Sequence, residues 1–195
     1  MRKTDGRVRN ALPHRFGLLP AAVAALCLLL HAALSPPVAA HGESPGATVL
    51  EAKAAQEAAN RALVRRWLSE LWDQGNYTLA TELLAPDFRR HSEGYPAVGP
   101  EAYADIVRSC HEGFPDTKIT MVDGLIADGD RVFVRWRWTG THTAVFRGVP
   151  ASGREIDVLG EDVIRIRNGR ITDIWPLFDP LRLMLQIGAV EQTAP

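Results

Sequence analysis

Three side chains in this sequence combine a proton-moving group with a setting that suits it. Asp162 alternates with Ile164 and Ile166 in the run GEDVIRIR (160–167), so an extended chain there sets a carboxylate on an otherwise apolar face. Partial loss of water disfavours the charged form and raises the carboxyl's pKa toward the range of a general base. His142 and His91 are the candidate proton donors for such a base. The competing reading pairs Asp162 with Arg135 or Arg137, or leaves it solvated. If Asp162 is the base, Asp162→Asn abolishes turnover and is expected to leave thermal stability nearly unchanged.

Other chemistry-bearing residues are more ambiguous. Trp136 and Trp138 share a strand face and suit the wall of a cavity for a flat ligand, and equally a plain core. His142 follows Thr139-Gly140-Thr141, which also reads as the end of a strand. The 6 histidines have no paired ligand spacing, so no metal is expected. A nucleophile elbow, a phosphate loop and a dinucleotide fingerprint are all missing from the sequence, so no cofactor is expected.

The elements that must position these residues follow from periodicity. From Val49 a helix is expected, with Ala58, Ala62, Leu63, Trp67, Leu68 and Leu71 recurring at three and four on its inward face, and Gly75 as its stop. Asn76 caps a short second helix through Leu84, which Pro86 ends. Residues 87–98 read as a linker, and a third helix starts at Gly99-Pro100 and runs to about Glu112. The period then becomes two. Strands are expected over 118–127, 131–142, 155–167 and 170–175, with turns at Asp128-Gly129-Asp130 and Asn168-Gly169, and a last helix over 180–187. Three helices followed by a four-stranded antiparallel sheet is an α+β layout, its helices covering one face of a curled sheet.

The first 40 residues are organised differently. Arg2, Lys3, Arg7, Arg9 and Arg15 precede an apolar run over 16–34 and then Pro36-Pro37-Val38-Ala39-Ala40. That order is a secretory signal peptide cut before His41, which predicts an exported protein, periplasmic or extracellular, free of the membrane after cleavage. The alternative is an uncleaved N-terminal anchor, since the apolar run just reaches spanning length. Residues 41–48 read as a flexible tether, 49–190 as one domain and 191–195 as a tail. Without its first 40 residues the chain keeps 17 basic against 22 acidic side chains, a net charge of −5, and has no basic patch for nucleic acid. Cys110 is then the only cysteine, and its place on a helical face with Tyr103, Ile106 and Val107 predicts burial.

An ordered set of segments carries a family resemblance: WDQGNYTLATELLAPDFRRH (72–91), FPD (114–116), RWRWTGTH (135–142), FRGVPASGREI (146–156), RIRNGRITDIW (165–175) and FDPLRLMLQIG (178–188). Together they resemble a SnoaL-like polyketide cyclase, or ester cyclase, domain of the nuclear transport factor 2-like superfamily, over nearly all of 58–188. The resemblance implies a cone-shaped barrel, a curved, mainly antiparallel sheet wrapped around N-terminal helices with a deep apolar pocket between them, and a homodimer formed through the sheet. It implies a small apolar oxygenated ligand or substrate and cofactor-independent acid/base chemistry such as aldol cyclisation, isomerisation or hydration. It places the loop of His91 and Tyr95 at the pocket rim, and it matches Trp175 and Asp179 to a family Trp and Asp, although Asp179 before Pro180 also reads as a helix cap. The family's acid/base aspartate falls on Pro176 and its supporting histidine on Asp162. Proline cannot transfer a proton, so either Asp162 is a displaced base or the fold survives as a non-catalytic small-molecule-binding module.

Overall fold

The computed structural model describes residues 45–191. The first helix, α1 (Pro45–Arg66), passes without a break into a π-helical segment, Trp67–Asp73. A single 3-10 turn (Tyr77–Leu79) leads into α2 (Ala80–Leu83), β1 (Leu84–Arg90), the short β2 (Ala97–Val98) and α3 (Pro100–Gly113). The sheet continues with β3 (Lys118–Asp128), β4 (Arg131–Thr141), β5 (Glu155–Arg167) and β6 (Arg170–Phe178), and α4 (Pro180–Gln186) closes the described part. Among the described residues no helix is long and apolar enough to cross a membrane. The segment read as a signal peptide lies outside them.

The sheet has six strands in the order β2-β1-β6-β5-β4-β3, and every pairing is antiparallel except β1 with β6. Four strands were expected. The two extra come from the end of the expected second helix and from the linker over 87–98. Leu84 is already extended, at φ −100 and ψ 151, and Pro86 lies inside β1. Proline is tolerated there because the β1–β6 register is interrupted between Leu84 and Arg89, so no ladder bond is lost at Pro86. The helix start also differs, since Pro45 to Thr48, expected in the tether, already form the first turn of α1.

The inward face of the first helix is Asn60, Val64, Trp67, Leu68 and Leu71; Ala58 and Ala62, expected on it, are exposed. Large side chains at the correct spacing displace the two alanines from the core, because they remove more apolar area from water. Buried Asn60 donates from Nδ2 to the Gly129 carbonyl at 2.9 Å, which fixes the helix on the β3–β4 turn. The π-helical segment contributes Trp67, Leu68 and Trp72 to one side of the interior, and its last residue clamps the sheet. Asp73 accepts from the Ile119 backbone N–H at 2.8 Å and from the Lys118 ammonium. Asp73→Ala leaves a strand N–H without its partner and is expected to cost about 1–3 kcal/mol. Thermal melting then shows a drop of several degrees that Asp73→Asn partly restores.

Two irregularities bend the sheet. The β3–β4 register slips between Val122 and Leu125, where Asp123 (φ 61) and Gly124 (φ 82) are left-handed, and the β5–β6 register slips between Arg165 and Ile166. The concave face carries the core: Val132, Val134 and Trp138 from β4, Ile156, Val158 and Ile164 from β5, and Ile171 and Ile174 from β6. Cys110 is buried within it, and burial pushes its thiol up to about 11, so it stays protonated.

Candidate functional site

The interior between the helices and the concave sheet encloses a cavity of about 50 Å³. Its walls are mostly apolar and rich in aromatic rings, with Trp67 and Trp72 from the helical side and Trp136, Trp138 and Phe178 from the sheet. Four polar side chains enter it: Asp162, Tyr103, Arg90 and Arg147.

Asp162 sits on the inner face of β5 between Gly160 and Ile164, opposite Val134 on β4 and Pro176 on β6. It is 4% exposed. Burial pushes its carboxyl up to about 7, against the opposing effects of a hydrogen bond from Trp136 and the charge of Arg90. Trp136 Nε1 donates to Asp162 Oδ2 at 2.8 Å. The two arginines that could have neutralised it are occupied on the outer face: Arg135 faces Asp123 and Glu161, and Arg137 chelates Asp157. Asp162 is therefore neither solvated nor ion-paired to them.

Tyr103 comes from the buried face of α3. Its hydroxyl accepts from Trp72 Nε1 at 2.9 Å, and its ring packs on Trp67 and Phe88. Burial first, and the nearby Asp162 second, hold its pKa well above the usual tyrosine range, so it keeps a proton that it can donate into the cavity. Arg90 ends β1, is buried, and donates from Nη1 to the Tyr95 carbonyl. Arg147 lies in the β4–β5 connection with its guanidinium 3.3 Å from the centre of the Tyr95 ring.

Neither histidine expected to serve Asp162 lines the cavity. His142 is fully buried, but it is stacked on Phe114 at 5.1 Å with Nδ1 held 3.1 Å from Ser152 Oγ. Burial lowers its pKa and keeps it neutral; it is a packing residue of the loop that follows β4. His91 lies on the opposite side of the sheet, stacked on Trp175 at 4.6 Å and bonded to Asp173 at 2.8 Å. Trp175 neighbours the buried Ile174 in β6 and so points to that outer face, away from the cavity. Asp179 caps α4, its Oδ1 accepting from the Arg182 N–H at 2.9 Å. Of the expected wall residues, Trp136 and Trp138 border the cavity, and Tyr95 supports it from behind through Arg90 and Arg147.

Tyr103, Arg90 and Arg147 were not singled out from sequence. Tyr103 had a visible signal, its place on the inward face of α3. Arg90 would have needed β1 to be recognised, because only a strand makes Phe88 and Arg90 face the same way. Among the described residues, no three His, Cys, Asp or Glu side chains come together as a metal site.

A curved mixed sheet closed by N-terminal helices over an internal cavity defines the α+β cone of the nuclear transport factor 2-like fold. A family profile described as SnoaL-like polyketide cyclase matches residues 62–187, and the chain belongs to that family. Among solved structures it is similar to a SnoaL-like protein from Jannaschia sp. CCS1, with 29% identity and a TM-score of 0.63 over 69% of this chain and 95% of that one. It is also similar to TsrD from Streptomyces laurentii, with 26% identity and a TM-score of 0.62 over 68% and 97% of the two chains. IdmH from Streptomyces antibioticus aligns with 28% identity and a TM-score of 0.56 over 65% and 96%. No curated protein matches the chain.

Proposed function

We propose that this SnoaL-like protein is an exported, cofactor-independent acid/base catalyst acting on a small apolar oxygenated substrate, with Asp162 as the base. The observation that carries this is a single carboxylate, 4% exposed and bonded to one indole N–H, whose pKa is raised to about 7 in an aromatic cavity. A base with that pKa is about half ionised at neutral pH, where the product of ionised fraction and basicity is near its best. Asp162 takes a proton from carbon next to a carbonyl. The Tyr103 hydroxyl, rather than a histidine, donates to the oxygen on which charge develops, and the same arrangement serves aldol closure, isomerisation or hydration. Export rests on the basic, apolar and small-residue order of the first 40 residues. A homodimer through the outer sheet face is supported by the exposed Ile126, Leu159, Val163 and Leu177 on that face.

The reading is tested by solvent-deuterium exchange into 2-butanone, followed by NMR across pH. Exchange is expected to rise through a limb near pH 7 that Asp162 controls. Because the Trp136 bond favours the ionised form, Trp136→Phe is expected to move that limb to higher pH. Binding of 2-butanone with no exchange above background at any pH would instead favour a binding module. On either reading the cavity of about 50 Å³ is far below the roughly 300–1,000 Å³ of pockets that hold larger ligands, so a multi-ring substrate needs side chains to move.

A further inference from the structure

We infer that the ligand of this cavity carries an acidic group, a carboxylate or an equivalent anion, held by Arg90 and Arg147. The inference rests on the acid/base reading only in placing the substrate in the same cavity, and it names the substrate's class.

Both arginines border the cavity, and neither has a carboxylate partner among the described ion pairs, although Arg61, Arg66, Arg108, Arg135, Arg137, Arg165 and Arg167 all do. Unpaired arginines at an exposed surface are satisfied by water. Arg90 is 8% exposed, so water reaches little of it. Its one named bond is to the Tyr95 carbonyl, which leaves most of a five-donor fork for something else. Arg147 Nη1 is buried with no hydrogen-bond partner at all. Taking a guanidinium nitrogen out of water without an anion is costly, and half-buried Arg147 also feels the charge of Arg90. The only acid in the cavity, Asp162, has its charged form disfavoured by burial, so near neutral pH the cavity carries net positive charge.

The backbone is arranged to keep Arg147 there. Phe146 and Val149 exchange two hydrogen bonds, at 3.0 and 2.9 Å, around Arg147 (φ 51) and Gly148 (φ 79). That is the geometry of a two-residue turn with both central residues left-handed, which strongly favours Asn or Gly at its first position. Arginine there costs about 1–2 kcal/mol of backbone strain. Tyr95 holds both cations, Arg90 through its carbonyl and Arg147 under its ring. Burial also pulls the Arg147 guanidinium below its usual pKa, as expected for a cation with no counter-ion. A carboxylate accepting from two guanidinium groups fits this chemistry, because their planar forks match its oxygens.

The test compares levulinate, a small keto acid, with its uncharged methyl ester by titration calorimetry on the described domain within the full mature chain. Levulinate is expected to bind about tenfold or more tightly than the ester, as a charge-assisted pair requires. Arg147→Met is expected to bring the two affinities to within about twofold, and Arg147→Lys to restore part of the difference, a pattern that mere loss of fold would not give. Asp162→Asn is expected to keep the preference for the acid while losing deuterium exchange. Equal affinity for acid and ester, no binding of levulinate at tens of millimolar, or an acid preference that survives Arg147→Met would each overturn the anion assignment. Preference for the acid with no exchange in the wild type leaves the assignment standing and removes the catalytic reading alone.

Discussion

Asp162→Asn is expected to lower turnover by roughly 10²–10⁴-fold, the usual contribution of a positioned base, and to make the protein more stable at pH 8 than the wild type. The carboxyl's folded pKa is about 7, against about 3.9 in an unfolded chain. Below pH 4 it is neutral in both states and its contribution to folding is fully present. As pH rises toward 7 the unfolded chain releases the proton and the folded one retains it, so the contribution is progressively lost. By pH 8 the loss is of the order of 4 kcal/mol. Asparagine keeps an oxygen for the Trp136 donor and cannot ionise, so the variant escapes that loss. Denaturation at pH 4 and pH 8 checks this through the difference between variant and wild type. The comparison matters because Asp116, Asp128 and Asp157, whose pKa values are lowered by their hydrogen-bond partners, bias the whole protein the opposite way. Parallel stability curves would mean that the Asp162 carboxyl titrates normally.

That stability effect departs from what the sequence led us to expect, and the reason is instructive. The alternation of Asp162 with Ile164 and Ile166 placed the carboxylate on the inner face, but local pattern says nothing of what lies across from it. Burial is decided by Val134, Pro176 and the helices, all distant in sequence. The same distinction sorts the rest of the fold. Strands β3 to β6 were legible because each alternates and because Asn168-Gly169, at φ 50 and 72, is a local turn signal. Strand β1 was not, since its parallel partner is some 85 residues away and Pro86 and Asp87 read locally as a stop. Missing β1 concealed Arg90. The histidines were named for the chemistry of imidazole, yet the direction of a loop side chain depends on packing that no spacing encodes: His142 turned onto Phe114 and His91 onto the far side of the sheet. Tyr103, on a helix whose inward face was readable, had a visible position but an invisible role, because its Trp72 partner belongs to another helix.

Gly160→Ala is expected to disable the site without touching a group that handles protons. Gly160 pairs directly with Trp136 across β4 and β5, and the indole occupies the space where a Gly160 side chain would stand. A Cβ built there would fall 2.2 Å from Trp136 Cζ2 and 2.3 Å from Cη2, distances that no rotamer adjustment of a methyl group can relieve. The contacting atoms belong to the rigid six-membered ring, so the whole indole must swing away, and its Nε1 leaves Asp162 two residues along β5. Three consequences follow from that one displacement. Overpacking costs about 1–3 kcal/mol, which for a chain of this size lowers the melting temperature by roughly 2–4 °C per kcal/mol. Loss of the indole donor removes the bond that favours the ionised carboxylate, so the pH limb of exchange moves above its wild-type position near 7. The cavity also loses its Trp136 wall, and levulinate binding weakens with it. Trp136→Ala in the Gly160→Ala background removes the clash, so the two substitutions are expected to be markedly less than additive in stability, as they are for side chains in direct contact. Full additivity, or a Gly160→Ala protein with wild-type melting temperature and pH limb, would show that the indole has room to move and that Trp136 does not set the state of Asp162.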